Sequence, residues 1–163
     1  MRQATRCPGF TLVEILLVVT IVAIVGMLAL PRIVSATDES REGRLCSDLT
    51  ALRRAIERYR VEHNNRRGPH LQENGLQDMS LFIERLTERT DPNGKLNAEG
   101  SCGPYLVKWP ENPLIDNEET ARKVIAGTGT APPRNNESGW YYDVDSCLIS
   151  VNSRTGALSL DAN

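Results

Sequence analysis

Gly9-Phe10-Thr11-Leu12-Val13-Glu14, continued by Ile15 to Leu30, is the stretch from which the rest of the chain follows. Phe10 to Leu30 is almost wholly apolar, and Glu14 is its one charge. As a helix these 21 residues rise about 32 Å, enough for a bilayer core of about 30 Å. A carboxylate at the centre of such a span costs roughly 2.5–3.5 kcal/mol on insertion scales, and less near an end. Glu14 lies near an end, yet still needs a partner to account for it. Arg2 and Arg6 precede the span with no acid beside them, and Pro31 and Arg32 follow it. Lys and Arg favour the cytoplasmic side. The N-terminus is therefore expected inside and the bulk of the chain outside.

Gly9 followed by Phe10-Thr11-Leu12-Val13-Glu14 resembles the class III signal of type IV pilins and type II secretion pseudopilins. The short basic leader, the long apolar run and Pro31 agree with it, so the resemblance covers about the first third of the chain. It implies that a prepilin peptidase cuts between Gly9 and Phe10 and N-methylates Phe10. Glu14 then becomes the fifth mature residue, one helical turn from a new cationic amine. Two paired charges in low dielectric are far less unfavourable than two lone ones. In the family this pairing aligns an incoming subunit with the growing filament. Two other readings stay open from the residues alone. One is a secretory signal peptide cut at Val34-Ser35-Ala36, although its apolar region is ordinarily about 7–15 residues long. The other is a plain signal anchor with Glu14 tolerated at the interface.

The length of 163 residues fits one domain beyond a membrane segment. The formal charge is -2; removing Arg2 and Arg6 from 19 basic residues leaves 17 against 21 acidic, or -4. No basic stripe with interleaved aromatics occurs, so nucleic-acid binding has no support. Tyr105, Trp109, Trp140, Tyr141 and Tyr142 place the small core in the second half. Of four cysteines, Cys7 leaves with the leader. Cys46, Cys102 and Cys147 would lie where disulfides form. Cys102 with Cys147 is the candidate pair, with Cys46–Cys102 or three thiols as alternatives that spacing cannot separate.

Residues 10–64 read as one long helix. Pro31 lacks an N–H and crowds the carbonyl four residues back, so a kink is expected there. Beyond it, Leu45, Leu49, Leu52, Ile56 and Tyr59 recur at spacings of 4, 3, 4 and 3. That places all five on one face, which the C-terminal half should cover. Asn64, Asn65 and Gly68-Pro69 end the helix. Ser80 is expected to cap a short helix through Glu88, with Leu81, Phe82 and Leu86 inward. Asp91-Pro92-Asn93-Gly94 reads as a turn. Tyr105 to Trp109 is a strand candidate, and Thr120 to Ala126 reads as either helix or strand. Trp140 to Asp143, Cys147 to Val151 and Ala157 to Leu160 read as strands, with a hairpin turn at Asn152 to Gly156 between the last two.

Long helix followed by small antiparallel sheet is α+β. It agrees with the pilin fold, a helical spine with a sheet packed on its outer half. The domain organisation expected is leader 1–9, transmembrane helix 10–30, amphipathic continuation 31–64 and periplasmic α+β head 65–163. Trp109-Pro110-Glu111-Asn112-Pro113 and Gly139-Trp140-Tyr141-Tyr142-Asp143 resemble the major, G-type pseudopilin.

A catalytic constellation is not evident. His63 and His70 flank a helix end and read as solvated loop residues, a metal site with Glu62 or Glu73 being the alternative. Asp143, Asp145, Asp161 and Asp116-Asn117-Glu118-Glu119 offer the oxygen ligands that Ca2+ prefers. The G-type resemblance implies calcium in the C-terminal loop region, with Asp143 and Asp145 as candidates, while ordinary surface acids explain the same residues. Asn136-Glu137-Ser138 fits a glycosylation sequon.

Together the resemblance implies a non-enzymatic structural subunit of a type II secretion pseudopilus, or alternatively a type IV pilin or minor pilin. Its partners would be copies of itself in a helical filament, other pseudopilins, the prepilin peptidase and an inner-membrane assembly platform. It would be a single-pass protein of the bacterial inner membrane with its head in the periplasm. A membrane-anchored binding module or enzyme, with the span as a tether, is the reading from a different class.

Overall fold

The computed structural model describes residues 10–63, 68–129 and 131–154, with side chains outside 27–37. It is α+β. Helix α1 spans Leu12–Glu62, α2 Phe82–Thr87 and α3 Glu118–Arg122; the strands are β1 Val124–Gly127, β2 Trp140–Asp143 and β3 Ile149–Val151. The chain divides into two compact units, residues 1–40 and 41–163.

In the first unit the backbone is helical from Leu12 onward and through Pro31. Phe10 and Leu12 to Val25 are exposed all round, with Leu12 83% and Val25 60% accessible. A helix apolar on every side finds no cover within its own unit and must be covered from outside.

In the second unit the predicted stripe is the spine of the core. Leu45, Leu49, Leu52, Ile56 and Tyr59 are buried, and Ala55 joins them. They pack in one cluster with Phe82 and Leu86 of α2, Trp109, Trp140 and Tyr142 of β2, and Ile149 and Val151 of β3. Phe82 meets Trp109 edge-on at 5.9 Å and Tyr142 at 4.7 Å between centroids. Such aromatic pairs add about 0.5–1.5 kcal/mol each beyond area burial.

The sheet departs from expectation. Its order is β1-β2-β3, with β1 parallel to β2 and β2 antiparallel to β3. It is mixed rather than antiparallel, because the chain leaves β1 and re-enters the sheet at β2 running in the same direction. The ambiguous 120–126 stretch divides: Asn117 caps α3 by accepting from Thr120 N, and β1 follows Lys123. The expected strand at Tyr105 to Trp109 does not form. Leu86 O instead accepts from both Tyr105 N and Leu106 N, and Trp109 Nε1 donates to Arg122 O. Ser80 does not cap α2; Leu81 stands at that position without a side-chain bond, and Ser80 N donates to Asp78 Oδ1. The strand expected at 157–160 and the last two residues of its turn, Thr155 and Gly156, lie outside the described residues.

Candidate functional site

The N-terminal motif begins with Thr11. Its hydroxyl accepts from Glu14 N at 3.2 Å and its carbonyl accepts from Glu14 N and Ile15 N. Thr11 is thus the N-cap of α1, satisfying donors that a helix start leaves orphaned. The pattern Thr-x-x-Glu is itself a helix-start signature, a signal that the charge-based reading of Glu14 passed over. Glu14 is exposed in the first turn of α1, where a carboxylate is favoured by the positive end of the helix dipole. Gly9 lies outside the described residues, and Phe10 is exposed at their start. Among the described residues no helix is long and apolar enough to cross a membrane. The expected span, 10–30, runs past Gly26 into the stretch whose side chains are not described.

Asp143 is buried at the end of β2. Its Oδ1 accepts from Gly129 N at 3.0 Å and Asp145 N at 3.2 Å, and its Oδ2 accepts from the Ser146 hydroxyl. The Ser146 hydrogen bond, followed by these backbone donors, holds its carboxyl below the usual carboxylate range. Asp143 therefore ties the 128–129 loop to the β2–β3 turn. Asp145 is exposed, and Asp161 lies outside the described residues. Among the described residues no group of three or more His, Cys, Asp and Glu side chains is placed to hold a metal ion.

Both histidines are buried, which corrects the solvated reading. His63 Nδ1 lies 2.7 Å from Tyr59 O, and its Nε2 lies 3.0 Å from Thr90 Oγ1 and 2.9 Å from Asp91 O. His70 Nδ1 lies 2.9 Å from the Tyr142 hydroxyl. Each finishes α1 or its exit by tying it to the head, a tertiary role that no local pattern encodes.

The candidate disulfide is not made. Cys46, Cys102 and Cys147 are free thiols, exposed, buried and half-buried in turn. Cys102 is fixed by its backbone pairing with Thr90, whereas Cys147 follows the β2–β3 turn beside Tyr142. Ser138 of the sequon is buried, donating to Trp140 O at 3.0 Å.

A second head cluster joins loops that the sequence left unassigned. Asn112 Nδ2 donates to Gly139 O at 3.0 Å, and Asn112 N bonds Ala121 O at 3.0 Å. Asn152 Nδ2 donates to Ser138 Oγ at 2.8 Å and Asn135 Oδ1 at 2.9 Å. These buried amides tie the loop before α3 to the 135–139 segment that leads into β2, and that segment to the residue after β3.

A capped apolar helix behind Gly9, leading into an α+β head, is the arrangement of a pilin-like protein. Residues 5–30 match the family described as Prokaryotic N-terminal methylation motif. The chain is 30% identical over 111 residues to the type II secretion system core protein G of Pseudomonas aeruginosa, covering 68% of this chain and 70% of that one. It is 25% identical over 111 residues to the protein of that name from Aeromonas hydrophila, covering 68% and 70%. With that of Klebsiella pneumoniae it shares 29% over 108 residues, covering 66% and 69%. No solved structure matches it. The chain belongs to the type II secretion system core protein G family, the G-type pseudopilins.

Proposed function

We propose that this chain is a non-enzymatic structural subunit of a type II secretion pseudopilus, cut after Gly9 and N-methylated at Phe10. The observation that carries the reading is the apolar helix, exposed all round from Leu12 to Val25 and capped at Thr11 directly behind the methylation motif. Before assembly lipid covers it; after assembly the helices of other copies do. Lateral burial at about 25 cal/mol per Å2 then holds the filament together. Contacts between copies are heterologous and do not close, so they propagate as a filament rather than a ring. The names of the relatives favour a pseudopilus over a type IV pilus.

Glu14 sets register by meeting the methylated amine of Phe10 on its own or a neighbouring chain. Pro31 gives α1 a deformable point near the outer membrane face. Residues 10–30 cross the inner membrane with the N-terminus in the cytoplasm, 31–64 continue the helix, and 65–163 form the head in the periplasm. Other pseudopilins, the prepilin peptidase and an inner-membrane assembly platform are its partners.

Mass spectrometry of the protein purified from its host tests the processing step. The expected chain begins at methylated Phe10. A chain beginning at Met1 supports the tether reading, and one beginning past Ala36 supports a cleaved signal peptide; either overturns the proposal.

A further inference from the structure

We propose that His70 is a pH-sensitive latch, whose protonation releases the 68–78 hairpin from β2 and α2. The hairpin leaves the exit of α1 and turns back at Gly75. Asp78 N donates to His70 O at 2.7 Å and Gln72 N to Leu76 O at 2.8 Å, while Leu71 bridges Gln77. Its tip is exposed, with Leu76 64% accessible. Its base is held at two points. Arg85 of α2 donates through Nη1 to Pro69 O at 2.8 Å and Asp78 O at 3.2 Å, and His70 Nδ1 meets the Tyr142 hydroxyl of β2 at 2.9 Å.

The latch is closely packed. His70, Arg85 and Tyr142 are 4%, 3% and 0% exposed. A Cβ added at Gly68 would fall 2.5 Å from His70 Nδ1 and 2.6 Å from the Tyr142 hydroxyl, so the backbone of Gly68 lies directly against the pair. In the neutral tautomer that carries its proton on Nε2, His70 accepts the Tyr142 O–H at Nδ1. A proton on Nδ1 reverses that bond and leaves the Tyr142 hydrogen to the Cys147 sulfur, a weak acceptor.

The charges around the ring add to this. Arg85 faces it from α2, Arg60 of α1 lies by Tyr142, and Asp145 faces it from the β2–β3 turn. Asp78 of the hairpin lies near Arg85. Burial first, and then Arg85, hold the His70 pKa below that of a free histidine, against the weaker pull of Asp145. A histidine with a lowered folded pKa contributes stability that is full above the unfolded value of about 6.5 and is lost as pH falls toward the folded value. Acid therefore loosens this attachment; β2 lends it the Tyr142 side chain, but the backbone pairing of β2 with β1 and β3 uses none of these groups.

Hydrogen exchange on the full chain in detergent micelles tests the latch. Protection at Gln72 and Asp78, corrected for intrinsic rates, is expected to fall between about pH 7.5 and about pH 5.5, while β2 and β3 keep theirs. In His70→Gln that pH-dependent loss is expected to vanish, with His63 still present in both proteins. A parallel NMR titration of the His70 ring should give a pKa below that of a free histidine. An equal loss in His70→Gln, or an unshifted His70 titration without change at Gln72 and Asp78, overturns the proposal.

Discussion

The imidazole of His63 stacks on the ring of Tyr59, one turn earlier on α1, with centroids 3.9 Å apart and planes 15° from parallel. Tyr105 meets both rings edge-on, at 5.5 Å from Tyr59 and 6.3 Å from His63. The Tyr105 hydroxyl in turn donates to Glu62 at 2.8 Å, which holds that carboxyl below its ordinary range. The last turn of α1 is thereby fixed to the loops that follow it.

Gly94 closes over this stack. Its φ is +85°, and a Cβ there would lie 2.5 Å from the Tyr59 hydroxyl. Gly94→Ala suffers both backbone strain and a clash, so chemical denaturation should show a loss of about 1–3 kcal/mol. Gly75→Ala, at φ +82° with open space around it, should lose less. Equal stability of Gly94→Ala and wild type would show that the Tyr59–His63 stack is not held against Gly94.

Asp143 supplies an acid-side dependence. Its folded pKa is depressed, chiefly by the Ser146 hydroxyl. Its contribution is complete above the unfolded carboxylate value of about 3.9 and fades as pH falls toward the folded value. Asp143→Asn should be less stable at neutral pH, and the gap to wild type should narrow in acid. A gap that does not change with pH would mean that the carboxylate charge contributes nothing beyond its shape.

The thiols differ in access. Cys46 is exposed on α1, Cys147 is half-buried, and Cys102 is 7% accessible. Alkylation of the native chain should modify Cys46 first and Cys102 only on unfolding. Recovery of a Cys102–Cys147 crosslinked peptide under non-reducing digestion would contradict the three free thiols.

Glu14→Leu removes the one charge of the apolar stretch. Membrane insertion should be unimpaired, since an apolar residue inserts more readily than a carboxylate. On the proposed pairing with the Phe10 amine, filament assembly should fail in this variant. Electron microscopy of filaments beside membrane fractionation separates the two effects. Filaments of normal yield from the variant would remove Glu14 from the register mechanism.

Periodicity in the sequence exposed the long helix and its buried stripe, because one helical face returns every three to four residues whatever packs on it. The methylation motif was legible for the same reason: it is a local order of residues, and residues 5–30 match its family. Trp140 to Asp143 was legible as a strand from its aromatic and turn-flanked run. The parallel pairing of β1 with β2 was not, since strand direction depends on the path the chain takes between the two strands. The strand predicted at Tyr105 to Trp109 failed because Leu86 O captured its backbone donors, a contact across the fold.

The sequence by itself determined that an apolar, once-charged helix leads into an α+β head, because hydrophobic spacing and a short signal are properties of neighbours along the chain. Only the tertiary structure decided that His63 and His70 are buried ties, that Asp143 binds two loops together and that Cys46, Cys102 and Cys147 are free thiols. Those outcomes depend on which groups distant in sequence meet in space, and a buried polar side chain takes its role from the partner that satisfies it.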